Sequence, residues 1–216
     1  FYADDIKANF SYDKSLHLSL GQYLLLKMTD SKIDINKAKV IVNEYKFTFT
    51  NRDLKKSIYI VGDYFNLDKY VKNGDSVLDV GCGSGILSIA ALKLGAKHAT
   101  AIDIDEVAVK VAAENMAVNH IPSSDYTLYD GDLISNAFLK VKAGTGHDIV
   151  VANILADVII PLTGVVKPHL KKGGLYITSG IIDTKEAEVR EALLENGFEI
   201  LDVTHMKEWC CFIATI

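Results

Sequence analysis

Ser76-Val77-Leu78-Asp79-Val80-Gly81-Cys82-Gly83-Ser84-Gly85 joins a short apolar run to a cluster of glycines. A run of that length ending on glycine is what a strand buried on both faces of a parallel sheet looks like. The residues that follow, Ile86 to Leu94, read as a helix, with Gly95 placed to end it in a left-handed cap. Ala99 to Ile104 makes a second strand, and Asp105 can cap a helix from Glu106 to about Asn119, whose alanines and valines allow close packing on a sheet. Together these pieces form a βαβ unit.

Further along, Asp148 to Ala152 and Leu175 to Ser179 supply more strands, separated by a helical stretch from Val158 to Leu170 and a turn at Lys171-Lys172-Gly173-Gly174. A helix is expected from Thr184 to Asn196, with Asp183 as its cap, Glu186 as the reciprocal capping-box partner and Gly197 at its far end. Two strand-like runs, Phe198 to Thr204 and Trp209 to Thr215, close the chain with no helix between them, so the sheet should end in an antiparallel, hairpin-like edge. The fold class is α/β, doubly wound.

Upstream of about residue 70 the character changes to a lysine-, tyrosine- and asparagine-rich stretch, which divides the chain into an N-terminal segment, 1–65, and a main domain, 66–216. Within the first, Leu16 to Met28 reads as a helix and Val40 to Val42 as a short strand, a small α/β segment. Phe1 in place of Met implies that the numbering starts inside a longer product.

The 216 residues, 49% hydrophobic and 24% charged, suit a globular protein with one sizeable core. A formal net charge of −5 argues against nucleic acid as a direct partner, since phosphate neutralisation needs clustered Lys and Arg; a basic protein suits this surface better. Three cysteines, two of them adjacent at Cys210 and Cys211, form no framework of spaced pairs, and the six histidines show no metal-ligand pattern. No apolar run reaches the roughly 18 residues of a membrane span, and the first residues lack the regions of a signal peptide, so no membrane and a cytoplasmic location are expected.

In Gly81-x-Gly83-x-Gly85 the glycines let the backbone turn sharply and approach a ligand, and the following helix offers unpaired N–H groups. The dinucleotide pattern Gly-x-Gly-x-x-Gly would need glycine where Ile86 stands, which speaks against a nicotinamide dehydrogenase. A purely structural tight turn is the plainer alternative. Asp103, ending the next strand, changes the balance, because a carboxylate there can accept hydrogen bonds from both hydroxyls of a ribose, although a strand-end aspartate can also be only a cap. Cys82 is expected to be partly exposed in the loop, with no histidine at local spacing to activate it as a nucleophile. Trp209, the only tryptophan, is read as core.

Val77 to Ala91, Lys93-Leu94-Gly95-Ala96 and Ala101-Ile102-Asp103-Ile104-Asp105 resemble class I methyltransferases. Val151-Ala152-Asn153-Ile154-Leu155-Ala156-Asp157-Val158-Ile159, then Ser179-Gly180-Ile181-Ile182, then Glu208-Trp209, are similar to the ribosomal protein L11 methyltransferase family, over about residues 66 to 216. The resemblance implies a seven-stranded, mostly parallel, Rossmann-like sheet that binds S-adenosyl-L-methionine over the carboxyl ends of its first strands. It implies as acceptors the lysine side chains or N-terminal amine of a protein, ribosomal protein L11 above all. Gly81, Cys82, Gly83 and Gly85 would line the methionine part, Asp79 orient the loop and meet the ligand's ammonium, Asp103 with Ile104 hold the ribose, and Asp132 with Leu133 the adenine edge. Asn153 would be the catalytic residue, accepting hydrogen bonds from the substrate amine. Read without the resemblance, Asn153 could instead simply cap the helix that follows.

The family's segment of the form Phe-Gly-Thr-Gly-x-His-x-Thr-Thr, expected shortly before the first strand, has no counterpart in residues 51–66. That leaves open a module that binds S-adenosyl-L-methionine without turnover. An acceptor other than ribosomal protein L11, a different protein lysine or a small amine, is open too. The stretch Asn9 to Leu26, with Val42 to Tyr45, resembles a phosphopantetheinyl transferase over a short span that lacks that enzyme's acidic and lysine motifs; this implies a truncated or fused remnant.

Overall fold

The computed structural model describes residues 67–206 and 208–216. The helix expected from Leu16 to Met28, the strand from Val40 to Val42 and the stretch 51–66 lie outside the described residues. Among those described, a short helix α1 (Leu67–Tyr70) leads into β1 (Ser76–Val80), α2 (Ile86–Leu94), β2 (His98–Asp103), α3 (Glu106–Val118) and β3 (Tyr126–Asp130). The second half runs α4 (Ala137–Ala143), β4 (His147–Asn153), α5 (Ala156–Val166), β5 (Leu170–Ile182), α6 (Glu186–Glu195), β6 (Glu199–Met206) and β7 (Trp209–Thr215). No helix among these residues is long and apolar enough to cross a membrane.

The strands form one seven-stranded sheet in the order β3-β2-β1-β4-β5-β7-β6. The first five strands in that order pair in parallel, and β7 lies antiparallel between β5 and β6. The expected mostly parallel sheet with an antiparallel edge is therefore the one observed, and its strands alternate between two buried faces. Leu78, Val150, Ala152 and Tyr176 pack with Leu139 of α4, Ile159 and Leu162 of α5 and Leu193 of α6. Val77, Ile149, Val151 and Ile177 pack on the other side with Leu67 of α1 and Leu87 and Ala91 of α2. Covering both faces is why these strands read as continuous apolar runs.

Local signals set several boundaries. Asp105 caps α3 by accepting from the Val107 N–H at 2.8 Å. Gly95, at φ 112°, ends α2 with its N–H directed at the Ala91 and Leu92 carbonyls.

Others depart from expectation. The capping box at Asp183 and Glu186 does not form. Asp183–Lys185 is a 3-10 turn, α6 begins at Glu186 without a side-chain cap, and the Glu186 carboxylate instead accepts from Arg190 and from His205 of β6, each at 2.7 Å. The helix expected from Val158 to Leu170 starts two residues earlier and gives way to a 3-10 turn at Lys167–His169, where Pro168 brings no N–H to continue it. The turn at Lys171 to Gly174 is absorbed into a longer β5 as a register shift, with Leu170 opposite His147 and Leu175 opposite Ile149.

Candidate functional site

The strand order reverses between β1 and β4, with α2 leaving on one face and α5 on the other, so the crevice of an open α/β sheet opens at the carboxyl ends of these strands. The glycine loop fills its floor. Gly81, Gly83 and Gly85 all adopt left-handed backbone, and the N–H groups of Gly81 and Cys82 both donate to the Ile102 carbonyl, at 2.8 and 3.0 Å. At 81 a side chain is excluded by space as well as by conformation: a Cβ would stand 2.3 Å from Ile154 Cγ2. At 83 a Cβ would meet nothing within 4 Å, so that part of the loop faces open space. From behind, Asn115 of α3 steadies the loop by donating from Nδ2 to the Ser84 carbonyl at 2.8 Å.

Two carboxylates meet this loop differently. Asp103, half-buried at the end of β2, accepts from the Gly83 N–H at 2.7 Å through Oδ2 and from the Asp105 N–H at 2.9 Å through Oδ1. It thus ties the loop to the next strand while keeping lone pairs on both oxygens. Asp79 is wholly buried: its Oδ2 accepts from the Ser88 hydroxyl at 2.6 Å and the Ser88 N–H at 3.1 Å, and its Oδ1 has no partner. Burial pushes the Asp79 carboxyl up to about 6, against the hydrogen bonds from Ser88 and with help from the charge of Asp103.

Cys82 is buried, not partly exposed, and packs with Ala101 and Ala112. Burial, together with the negative charges of Asp79 and Asp103, pushes its thiol far above the ordinary value, so it stays protonated and only its backbone can face a ligand. Among the described residues no group of three or more His, Cys, Asp or Glu is placed to hold a metal.

A pocket of about 170 Å³ lies beside the loop, and its lining brings Gly81, Asp103, Ile104, Asp132 and Leu133 together. Asp132 is held below the usual carboxylate range by the Ser135 hydroxyl, at 2.6 Å, and the Ile134 N–H, at 2.8 Å; Leu133 beside it is buried. Sequence reasoning assigned no role to the apolar remainder of the lining, chiefly Ile134, Ile154, Val158 and Leu162. For Ile154 and Val158 the signal was at hand in the Asn153 to Ile159 motif, but an aliphatic that lines a pocket looks in sequence like one that fills a core. The volume is well below the ~300–1,000 Å³ that buries a whole drug-sized ligand, so the pocket is sized for one portion of such a molecule, with the rest lying over the open loop.

Asn153 ends β4 with its side chain exposed, on the rim and outside the pocket lining. The alternative of a helix cap fails, because Leu155 occupies the N-cap position of α5 and no side chain caps that helix. A Cβ on Gly180 would stand 2.7 Å from the Ile154 carbonyl oxygen and 3.0 Å from Asn153 Oδ1, which is why β5 passes this point on a glycine. Trp209 is only half-buried where β7 begins, opposite Ile182 and Met206, rather than in the core.

Residues 64–216 match the model of the family described as ribosomal protein L11 methyltransferase (PrmA). The chain is 52% identical over 147 residues to the ribosomal protein L11 methyltransferase of Agathobacter rectalis, a match covering 66% of this chain and 46% of that one. It is 48% identical over 163 residues to that of Lachnoclostridium phytofermentans, covering 69% and 49%. The chain spans about half the length of the curated relatives it matches. Among solved structures it resembles a ribosomal protein L11 methylase from Lactobacillus delbrueckii subsp. bulgaricus, with a TM-score of 0.64, 33% identity, and 74% of this chain and 77% of that one covered. The fold alone is shared with a precorrin-6y C5,15-methyltransferase from Geobacter metallireducens, at a TM-score of 0.57 and 14% identity, covering 70% of this chain and 86% of that one. On the family match and these identities, the chain belongs to the ribosomal protein L11 methyltransferase family.

Proposed function

We propose that residues 66–216 bind S-adenosyl-L-methionine and move its methyl group to a protein amine, a lysine side chain or N-terminal amine, of ribosomal protein L11 in the cytoplasm. The observation that carries the reading is that Gly81 and Asp103 line one apolar pocket, with Asp103 also holding the N–H of Gly83, where the loop is open. The site fits the cofactor part by part. Asp103 keeps lone pairs for ribose hydroxyls, Ile104, Leu133, Ile154 and Val158 offer apolar walls for an adenine, Asp132 stands at its edge, and the glycine loop lies open to the methionine portion. A buried carboxylate oxygen without a partner, Asp79 Oδ1, is what a site built for an ammonium group contains before the ligand arrives.

When bound, S-adenosyl-L-methionine supplies a methyl group on a sulfonium, already a good leaving group. The protein's work is therefore alignment and exclusion of water. A lysine ammonium has no lone pair and must first lose its proton. The exposed aliphatic side chain of Leu155, two residues on from Asn153, favours the neutral amine by desolvating it, and the amide oxygen of Asn153 can accept its N–H without forming an ion pair that would keep it charged. The formal charge of −5 fits a basic protein as acceptor and disfavours direct contact with nucleic acid. Residues 1–65 form, in this reading, a separate segment.

Calorimetry with S-adenosylhomocysteine, followed on the same sample by radiolabelled methyl transfer to ribosomal proteins, tests the proposal. Binding with label on ribosomal protein L11 is expected. Label elsewhere would move the acceptor to another protein lysine or a small amine. Binding with no label would leave a module without turnover, the outcome to which the missing Phe-Gly-Thr-Gly-x-His-x-Thr-Thr segment points. No binding would end the methyltransferase reading.

A further inference from the structure

We propose that Ser88 is a positioning residue for the cofactor: by tying up one oxygen of Asp79 with both its hydroxyl and its N–H, it keeps the other oxygen free and aimed for the ligand's ammonium. This rests on the reading of the crevice as an S-adenosyl-L-methionine site.

The argument starts from an unsatisfied helix end. Gly85 stands at the N-cap of α2 and has no side chain to bond the first N–H groups, and no acidic residue lies in the first turn. Asp79 fills that role from a distance, across the glycine loop, by accepting the N–H of Ser88 in the first turn of α2. A carboxylate at that position also gains from the positive end of the helix. The Ser88 hydroxyl then adds a second and shorter bond to the same oxygen, 2.6 Å against 3.1 Å. Both side chains are fully buried, so neither water nor a neighbour competes.

The result is asymmetric. Oδ2 carries two donors and Oδ1 carries none, and Oδ1 is the only buried carboxylate oxygen among the described residues left in that state. An ionised, buried oxygen without a partner is costly, and the cost is recovered only when a donor arrives. Without the hydroxyl, the carboxylate would be free to turn and share its oxygens between the Ser88 N–H and the ligand. The charged group that acts on Asp79 is Asp103 at the end of β2; the Cys82 thiol in the loop is neutral, and Ser88 is the partner from α2. Asp103 disfavours the charged form of Asp79, and the bonds from Ser88 favour it. Ser88 therefore keeps Asp79 both oriented and ionised at neutral pH.

The test uses two ligands that differ in the amino-acid portion: S-adenosylhomocysteine, which carries the ammonium, and 5′-methylthioadenosine, which does not. Ser88→Ala should weaken S-adenosylhomocysteine at pH 7 by about tenfold or more, the scale of a hydrogen bond to a charged group, and leave 5′-methylthioadenosine within about twofold. Wild-type affinity for S-adenosylhomocysteine should fall as the pH drops through about 6, and in Ser88→Ala that fall should begin at higher pH, because the hydroxyl bond, the larger of the two that lower the Asp79 pKa, is gone while the backbone N–H remains. Asp79→Asn serves as a second variant. It keeps an acceptor for Ser88, should lose the same ligand discrimination, and should show no such pH dependence. The ratio of the two affinities is insensitive to a partly unfolded sample, since both ligands sample the same folded fraction. Equal weakening of both ligands, or unchanged S-adenosylhomocysteine affinity, would overturn the role of Ser88 while leaving the site itself intact. Wild-type protein that binds neither ligand would overturn the underlying reading and this proposal with it.

Discussion

At the amino ends of β1, β4 and β5 the polar side chains are turned on one another, whereas at the carboxyl ends of β1, β2 and β4 a buried carboxylate oxygen lacks a partner and aliphatic side chains stand exposed beside an open loop. At the amino ends, the Ser76 hydroxyl meets His147 Nδ1 at 2.9 Å, His147 Nε2 meets the Ala143 carbonyl at 2.8 Å and His169 Nδ1 the Gly144 carbonyl at 2.5 Å. There too, Asp148 accepts the Ser76 N–H and pairs with Lys171. At the carboxyl ends, Asp79 Oδ1 has no partner, a Cβ on Gly83 would meet nothing, and Ile104 and Leu155 are 76% and 68% exposed. Satisfied groups at one end stabilise the sheet; unsatisfied and exposed ones at the other are those the proposed ligand would engage. Each end should therefore fail in its own way when altered.

The largest contrast is between two glycines with left-handed backbone. Gly81→Ala must meet Ile154 Cγ2 at 2.3 Å as well as adopt a positive φ, and is expected to cost about 2–4 kcal/mol of stability and to abolish S-adenosylhomocysteine binding. Gly74→Ala, near the amino end of β1, has the same conformational penalty but nothing within 4 Å, so about 1–2 kcal/mol and unchanged binding are expected. Urea titrations of both variants measure the difference. Equal costs would mean that conformation alone, and not the close approach of the β4 motif, makes Gly81 necessary.

Much of this division was legible in the sequence, and the parts that were not share a cause. β1, β2 and β4 announced themselves because both of their faces are covered, and Asp105 was recognisable as a cap because the N–H it accepts is only two residues away. Asp79 was read as a loop-orienting carboxylate, but its role as the missing cap of α2 depends on a partner nine residues on, across a turn. The capping box at Glu186 was locally plausible and lost to His205, which only the pairing of β6 brings near. β3 went unassigned because it is the sheet edge: Tyr126 to Tyr129 are all half-buried, giving neither a continuous apolar run nor a clear alternation. Of the pocket lining, Gly81, Asp103, Ile104, Asp132 and Leu133 were singled out in the sequence and the other aliphatics were not, since Leu162 has the same apolar pattern whether it lines a pocket or fills a core.

Asp103→Ala should act only at the carboxyl ends. It is expected to weaken S-adenosylhomocysteine by ~1–3 kcal/mol, the scale for leaving ligand hydroxyls unpaired. The structure adds that the variant also releases the Gly83 N–H, so the loop itself should loosen, visible as faster amide exchange at Gly83. Unchanged affinity would remove Asp103 from the site.

The two ends should also respond to acid with opposite signs. Burial holds His147 below its ordinary value of 6.5, so an unfolded chain takes up a proton before the folded one does. Its contribution is present in full above about pH 6.5 and is lost as the pH falls toward the lower folded value. Asp79 runs the other way: between its ordinary 3.8 and about 6 the folded state holds a proton that the unfolded chain releases, so acidification through that window relieves a burial cost. In thermal melts from pH 7.5 to 4.5, His147→Gln should flatten the loss of stability on the acid side and Asp79→Asn should steepen it. Shifts of the same sign would show that one of the two buried groups is paired differently from its neighbours in the structure.

The smallest effect is expected from Lys171→Met. Its side chain is half exposed, at 51%, and its partner Asp148 keeps a second bond from the Ser76 N–H, so removing the lysine does not strand a buried charge. A pair of that kind contributes little to stability, and less at high salt. The value of the variant lies in what should not change. Lys171 and Asp103 sit at opposite ends of parallel strands, joined by the rigid core between them. A loss of S-adenosylhomocysteine affinity in Lys171→Met would mean that the hydrogen-bonded amino ends hold the crevice in shape through the sheet. Unchanged affinity with a slightly lower melting temperature keeps the two ends separate, one stabilising the sheet and the other receiving the ligand.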